Sequence, residues 1–146
     1  MRAGLPASSL GVLMLWACSL VSPDAPLQCY IVQLTAPPLV SYTGGIPGLA
    51  STSPQTGGRN SVDIDSPASR AYIDYLKQQQ AKLLAAVKDS LGRTVDPDYA
   101  YFYAMDAVVL RLTPAEAARV TTLPSVRVVL IDQANRTLSQ EVPPRD

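Results

Sequence analysis

A chain of 146 residues has room for one small domain with attached segments, and its twelve basic residues balance its twelve acidic ones. This balance gives no electrostatic reason to expect a nucleic-acid partner. The sequence contains no histidine, which excludes a Ser-His-Asp triad, a Cys-His pair and most zinc sites. No two carboxylates have the spacing of an acid–base catalyst, so we expect a protein that is not an enzyme and that uses no cofactor and no metal.

The N-terminus has the pattern of an export signal. Arg2 is followed by a short apolar run from Leu10 to Trp16, which is far below the roughly 20 residues that span a bilayer. Small residues before Leu20 predict cleavage there. Residues 1–19 are then a signal peptide, and the product is secreted, periplasmic or extracellular.

A lipoprotein signal is the alternative, with Cys18 as the lipidated residue. Trp16 is bulky at a position where such signals favour a small side chain, which weighs against lipidation. A membrane is expected as a partner only if Cys18 carries a lipid. Simple cleavage leaves Cys29 as the one remaining cysteine, and we interpret it as a small apolar residue at the start of the first strand.

Residues 20–29 form a short spacer, and the first strand is predicted from Tyr30 to Leu34, where β-branched and aromatic residues are concentrated. Two prolines end this strand. From Pro37 to Asp65 the sequence is rich in Pro, Gly, Ser and Thr and has no helical or alternating period. This composition predicts a long surface loop that is partly mobile.

A long amphipathic helix is predicted to begin after Ser66, with Pro67 in its first turn, and to end at Gly92. The glutamines from Gln78 to Gln80 are predicted to lie on its solvated face. Apolar residues recur at spacings of three and four and form one stripe. This stripe comprises Tyr72, Ile73, Leu76, Leu83, Leu84, Val87 and Leu91.

Two further strands are predicted from Tyr99 to Met105 and from Ala107 to Thr113. With a two-residue turn at 106–107, Tyr101 and Tyr103 pair with apolar residues of the second strand and face the helices. The opposite face of this hairpin then carries Phe102, Ala104, Val109 and Arg111.

The segment Thr113-Pro114-Ala115-Glu116 is a capping box that predicts a short helix to about Thr122, with Glu116 as a helix cap rather than a catalytic acid. Val126 to Ile131 is the last predicted strand. The order β-α-β-β-α-β predicts an α+β, ferredoxin-like sandwich in which two helices cover one face of a four-stranded antiparallel sheet. The other face is apolar and uncovered, which favours a protein partner. The alternative is that the loop from Pro37 to Asp65 folds over it.

Several of these segments resemble a known family. The strand YIVQL, the amphipathic helix, LRLTPAEAARV and LPSVRVVLID are together similar to the propeptide of subtilisin-like serine proteases, the inhibitor-propeptide family. SYTGGIPGLASTSP is similar to a loop of larger exported relatives. The resemblance covers about residues 30–138, which places a propeptide-inhibitor domain at 30–133 and a C-terminal tail at 134–146.

The resemblance implies a competitive inhibitor or intramolecular folding chaperone of a subtilisin-like serine protease. The uncovered sheet face, with Phe102, Ala104, Val109 and Arg111, is expected to dock on the protease. The tail is expected to lie in the active-site cleft like a bound product, with Leu138 in one apolar subsite. Its contact residues are expected to be Ala134, Asn135, Arg136, Thr137, Leu138, Ser139 and Gln140.

The chain also departs from the family pattern. Ala107 and Ser125 stand where the family has glycine, and Leu130 stands where an acidic residue often faces the protease. We expect that no protease domain follows the tail. Two alternatives therefore remain, a truncated N-terminal remnant of a secreted protease and a secreted binding domain for another partner.

Other functions of the same fold find little support in the sequence. An acylphosphatase needs an anion-binding loop after the first strand, and residues 35–38 offer no such loop. A nucleic-acid binder would need a basic patch beside Tyr99, Tyr101 and Tyr103, and the sequence has none there. A metallochaperone would need a Cys-x-x-Cys loop, which the chain lacks.

Overall fold

The computed structural model describes residues 25–133. The elements in chain order are β1 (Gln28–Leu34), α1 (Pro67–Leu91), β2 (Pro97–Tyr101), β3 (Ala107–Leu112), α2 (Pro114–Thr121) and β4 (Val126–Ile131). The strands form one antiparallel sheet in the order β2-β3-β1-β4. The α+β, ferredoxin-like arrangement predicted from the order of elements is confirmed.

The helix α1 begins and ends where its capping residues predict. The Ser66 hydroxyl accepts a hydrogen bond of 3.1 Å from the Ser69 N–H. Pro67 occupies the first turn, where the backbone N–H that proline lacks would have no partner within the helix. Gly92 ends the helix with φ at 71°, in the left-handed region that disfavours a Cβ. The Gly92 N–H donates to the Lys88 carbonyl at 2.8 Å.

The second helix and the last strand also follow their local signals. The Thr113 hydroxyl accepts the Glu116 N–H at 3.3 Å, and the Glu116 carboxylate accepts the Thr113 N–H at 2.9 Å, which completes the predicted capping box. Ala117 and Val120 are buried against the sheet. The bounds of β4 agree with the prediction, whereas β1 starts two residues earlier than predicted, at Gln28.

The helix α1 is longer than the sheet on which it packs. Its 25 residues extend about 37 Å at 1.5 Å per residue, whereas the seven residues of β1 extend about 23 Å. Leu83 and Val87, in the C-terminal half, belong to the main core between the helices and the sheet. Tyr72 and Leu76, in the N-terminal half, belong to a second cluster.

The segment from Pro37 to Asp65 is a largely exposed loop, as predicted, but its buried residues also form the other side of this second cluster, which the sequence did not predict. Leu39 and Tyr42 are buried, and the ring of Tyr42 stacks on that of Tyr72 with their centroids 3.9 Å apart. Two short 3-10 turns, Leu39–Ser41 and Pro54–Gly57, shape the segment. It packs there because the N-terminal half of α1 has an apolar stripe with no strand beneath it.

The hairpin of β2 and β3 differs from its prediction in length and register. β2 ends at Tyr101, and the connection to β3 has five residues, 102–106, rather than a two-residue turn. Tyr101 pairs with Ala107, and Tyr99 pairs with Val109. Tyr101 therefore lies on the face away from the helices, and the prediction that it faces them was wrong.

The physical reason is a competing set of backbone hydrogen bonds. The carbonyl of Phe102 accepts the Leu39 N–H at 2.9 Å, and the carbonyl of Tyr103 accepts the Val40 N–H at 3.1 Å. These bonds join the connection to the segment after β1 instead of extending the ladder with β3. The prediction that Tyr103 faces the helices is wrong for the same reason, since its side chain is 51% exposed outside the strands.

Candidate docking face

The two helices pack on the same side of the sheet and leave its other side without a helix in the described part of the chain. Val32 and Val108 point into the main core, and directly paired residues of antiparallel strands share a face. We call the side away from the helices the open face. It comprises Cys29, Ile31, Gln33, Tyr99, Tyr101, Ala107, Val109, Arg111, Val128 and Leu130.

One apolar row crosses all four strands of the open face. Tyr99 pairs with Val109, Val109 with Ile31, and Ile31 with Leu130. At about 4.8 Å between neighbouring strands, the row spans about 14 Å. Tyr99 and Leu130, at its two ends, are 61% and 52% exposed, whereas Val109 between its neighbours is 1% exposed. The row is therefore apolar on all four strands, with its exposed surface at the two ends and a buried residue on β3.

The segment from Pro37 to Asp65 does not cover this strip. Its apolar contacts are with α1 and with Phe102, and its backbone bonds reach the connection 102–106. Tyr101, beside the row, is 43% exposed. The alternative in which the loop folds over the open face is therefore not what the structure contains.

A charged pair borders the apolar row. The Arg111 Nε donates to the Asp98 carboxylate at 2.7 Å, and this hydrogen bond raises the pKa of Arg111 further. Cys29, a half-buried free thiol, lies directly opposite Arg111 on β1. An apolar centre with a charged rim is the usual composition of a protein–protein contact surface.

The structure separates the four residues that the sequence assigned to this face. Val109 and Arg111 lie on it. Phe102 is half-buried in the second cluster, and Ala104 lies in the connection outside any strand. The assignment of Phe102 and Ala104 to the sheet face was wrong, because β2 ends at Tyr101 before reaching them.

Sequence reasoning also missed most of the row itself. Ile31 could have been found, because it alternates with Tyr30 and Val32, which point into the core. Tyr99 depended on the register of the β2–β3 hairpin. Leu130 was noted only as a departure from a family pattern, although it ends the row on β4.

The polypeptide leaves the sheet at an edge. In the described residues β4 pairs only with β1, and Ile131 at its end is 42% exposed. The Asp132 N–H donates to the Cys29 carbonyl at 2.9 Å, which continues the pairing for one more residue. The predicted tail contacts, Ala134–Gln140, and the predicted lipidation site, Cys18, lie outside the described residues.

A buried polar pair lies at the other end of the sheet. Gln80 was predicted to be solvated but is 5% exposed, because it continues the spacing of the buried stripe at 76, 80, 83 and 87. Its Nε2 donates to the Asp106 carboxylate at 2.8 Å and to the Tyr101 carbonyl at 3.0 Å. Burial raises the pKa of Asp106 to about 6, and the hydrogen bond from Gln80 opposes this rise.

Glu116, in the first turn of α2, forms an ion pair with Arg93. Arg93 holds the pKa of Glu116 down to about 2, chiefly through its side-chain hydrogen bonds. Within residues 25–133, no group of three metal-binding side chains lies close enough to hold an ion. Neither helix of this described part has the length and hydropathy that crossing a membrane requires.

Comparison of the chain with protein-family models, with curated proteins and with solved structures gives no match.

Proposed function

We propose that this domain binds a subtilisin-like serine protease and acts as its competitive inhibitor and folding chaperone. The observation that carries the proposal is the apolar row from Tyr99 to Leu130. The large apolar side chains of Tyr99 and Leu130, exposed at the two ends of this row, are unfavourable in water, and a partner that covers them gains about 25 cal/mol per Å² of apolar area buried.

The second support is the place where the last strand ends. β4 is an edge strand of the described sheet, and its C-terminal end lies where β1 begins. An extended segment that follows an edge strand can form main-chain hydrogen bonds with a strand of the partner. Docking of the open face holds the tail near the active-site cleft, so the tail acts at a high effective concentration.

Leu130 changes the chemistry expected of this contact. The family often has an acidic residue at the matching position, whereas Leu130 extends the apolar row to the sheet edge. Docking through Leu130 is then apolar rather than a charge interaction with the protease. We therefore expect inhibition to depend only weakly on salt, because screening acts on charges.

The test is a titration of a broad-specificity subtilisin with the chain from residue 20 to 146, following peptide hydrolysis and the intactness of the domain. A matched chain that ends at Asp132 keeps all the strands and removes the tail. We expect competitive inhibition by the longer chain and none by the shorter one. Equal inhibition by both would exclude the tail as the inhibitory segment.

A second readout tests the open face separately from the tail. Cys29 lies on this face, so a bound protease should slow its reaction with a thiol reagent, located by peptide mass spectrometry. A catalytically inactive subtilisin avoids digestion of the domain. If the domain stays folded but neither inhibits nor shows protection of Cys29, the proposed function is wrong.

A further inference from the structure

A carboxyl group without solvent contact lies where three parts of the domain meet. Asp106, which precedes β3, is 0% exposed. Its backbone carbonyl accepts the N–H of Leu34, at the end of β1, at 2.8 Å. Its side chain accepts the amide of Gln80, on α1, also at 2.8 Å. We call the contacts among Leu34, Gln80, Tyr101 and Asp106 the joint.

Only one oxygen of the Asp106 carboxyl group is hydrogen-bonded. Oδ1 accepts from Gln80, whereas Oδ2 is buried and has no partner among the described residues. No Lys or Arg of residues 25–133 forms an ion pair with it. The titratable group that interacts with its charge is the Tyr72 phenol of α1, whose own pKa is raised, chiefly by burial. A negative charge here is therefore uncompensated.

We propose that Asp106 makes the joint pH-sensitive, so that binding of a proton tightens it and loss of the proton loosens it. The proton comes from solvent and is carried by the carboxyl group, which becomes neutral. Neutralisation removes the cost of burying an unpaired charge and leaves the backbone bonds of the joint in place.

The direction in which pH changes stability follows from the pKa of Asp106 in the folded and in the unfolded chain. Burial raises the pKa of Asp106 from 3.8 to about 6 in the folded domain. Between these values the folded domain keeps a proton that the unfolded chain has lost. Stability is then highest in mild acid and falls as the pH rises through this window.

Between pH 4.5 and 6.5, histidine is the side chain that usually titrates and obscures the effect of a single carboxyl group. The whole chain contains no histidine, so no imidazole titrates between pH 4.5 and 6.5. Glu116 acts in a lower window, because Arg93 lowers its pKa from 4.5 to about 2. A stability change between pH 4.5 and 6.5 can therefore be traced to Asp106 by one substitution.

The joint also reaches the open face. The Gln80 amide that binds Asp106 also donates to the Tyr101 carbonyl at 3.0 Å, at the end of β2. Tyr101 pairs with Ala107, and its ring is 43% exposed on the open face. A loosened joint therefore frees the end of β2. This inference does not require the proposed protease partner, since its test uses the domain alone.

The experiment is urea unfolding of the full chain at pH 4.5 and 6.5, followed by far-UV circular dichroism. The matched variants are Asp106→Asn and, as control, Asp96→Asn at an exposed position. We expect the folding equilibrium constant of the wild type and of Asp96→Asn to fall about 20-fold between the two pH values. Asp106→Asn should lose most of this fall.

A carbon-13 NMR titration of the wild-type Asp106 carboxyl group gives an independent readout that does not depend on the folding of a variant. A midpoint near 6 supports the proposal. A midpoint near 3.8, or an Asp106→Asn variant that keeps the full pH dependence, would overturn it. Neither measurement includes a protease, so its failure is distinct from a failure of the proposed function.

Discussion

The Arg93 guanidinium binds the Glu116 carboxylate through two hydrogen bonds, of 2.7 Å from Nε and 2.8 Å from Nη2. The same carboxylate accepts the Thr113 N–H and so also closes the capping box of α2. This contact joins the segment after α1 to the start of α2. One carboxylate therefore connects the C-terminal end of α1 with the N-terminal cap of α2.

We predict that Glu116→Gln lowers the free energy of unfolding by about 1 kcal/mol at pH 7, because the ion pair is lost while glutamine can still accept the Thr113 N–H. The measurement is urea unfolding of wild type and variant. Asp96→Asn is the control, since it removes an exposed carboxylate with no ion pair among the described residues. A loss as large in Asp96→Asn would contradict this explanation.

The stabilisation by Glu116 should disappear in acid. Its pKa is lowered from 4.5 to about 2 in the folded domain, so its contribution is fully present above pH 4.5 and is lost as the pH falls towards 2. The difference between wild type and Glu116→Gln should therefore shrink from pH 5 to pH 2.5. This direction is opposite to that of Asp106. A difference that stays constant with pH would argue against the ion pair.

Gly92→Ala should destabilise the domain by about 1 kcal/mol, because a residue with a Cβ is strained in the left-handed region. Gly92 has φ at 71° at the end of α1. Gly57→Ala is the matched control, since Gly57 has no positive φ and a Cβ there meets only ordinary contacts. Thermal unfolding of both variants checks this, and equal shifts in Tm would contradict the assignment of strain to Gly92.

The second cluster is expected to contribute measurably to stability. The Tyr72 hydroxyl donates to the Pro37 carbonyl at 2.6 Å, so Tyr72→Phe should lower the free energy of unfolding by about 1 kcal/mol. Tyr103→Phe, at an exposed side chain, is the control and should leave stability unchanged. If both variants match the wild type in urea, this hydrogen bond does not stabilise the packing of the loop.

Docking through the open face predicts that Leu130→Ser weakens inhibition of subtilisin by about tenfold, since the substitution removes one large apolar contact. Ile64→Ser is the control, because the side chain of Ile64 is 50% exposed and that of Leu130 is 52% exposed. Ile64 lies in the segment before α1 and is not one of the paired residues that make up the open face. Inhibition constants that change equally in both variants would count against docking through this face.

The elements that could be predicted from the sequence are those whose signals are local. Ser66 and Gly92 mark the ends of α1, and Thr113 with Glu116 marks the start of α2. Each of these signals is a hydrogen bond or a backbone conformation within four residues along the chain. Such interactions do not depend on what the rest of the chain does, so they hold in the folded domain.

The parts that required the tertiary structure involve partners far apart in the chain. The length of the β2–β3 connection depends on bonds from Leu39 and Val40 to residues more than sixty positions later, which the hairpin sequence does not contain. Gln80 continues the spacing of the buried stripe, but the carboxylate that its buried amide binds, that of Asp106, lies 26 positions later in the chain. Because register along a strand determines which side chains share a face, this one shift moved Tyr101 onto the open face and Phe102 away from it.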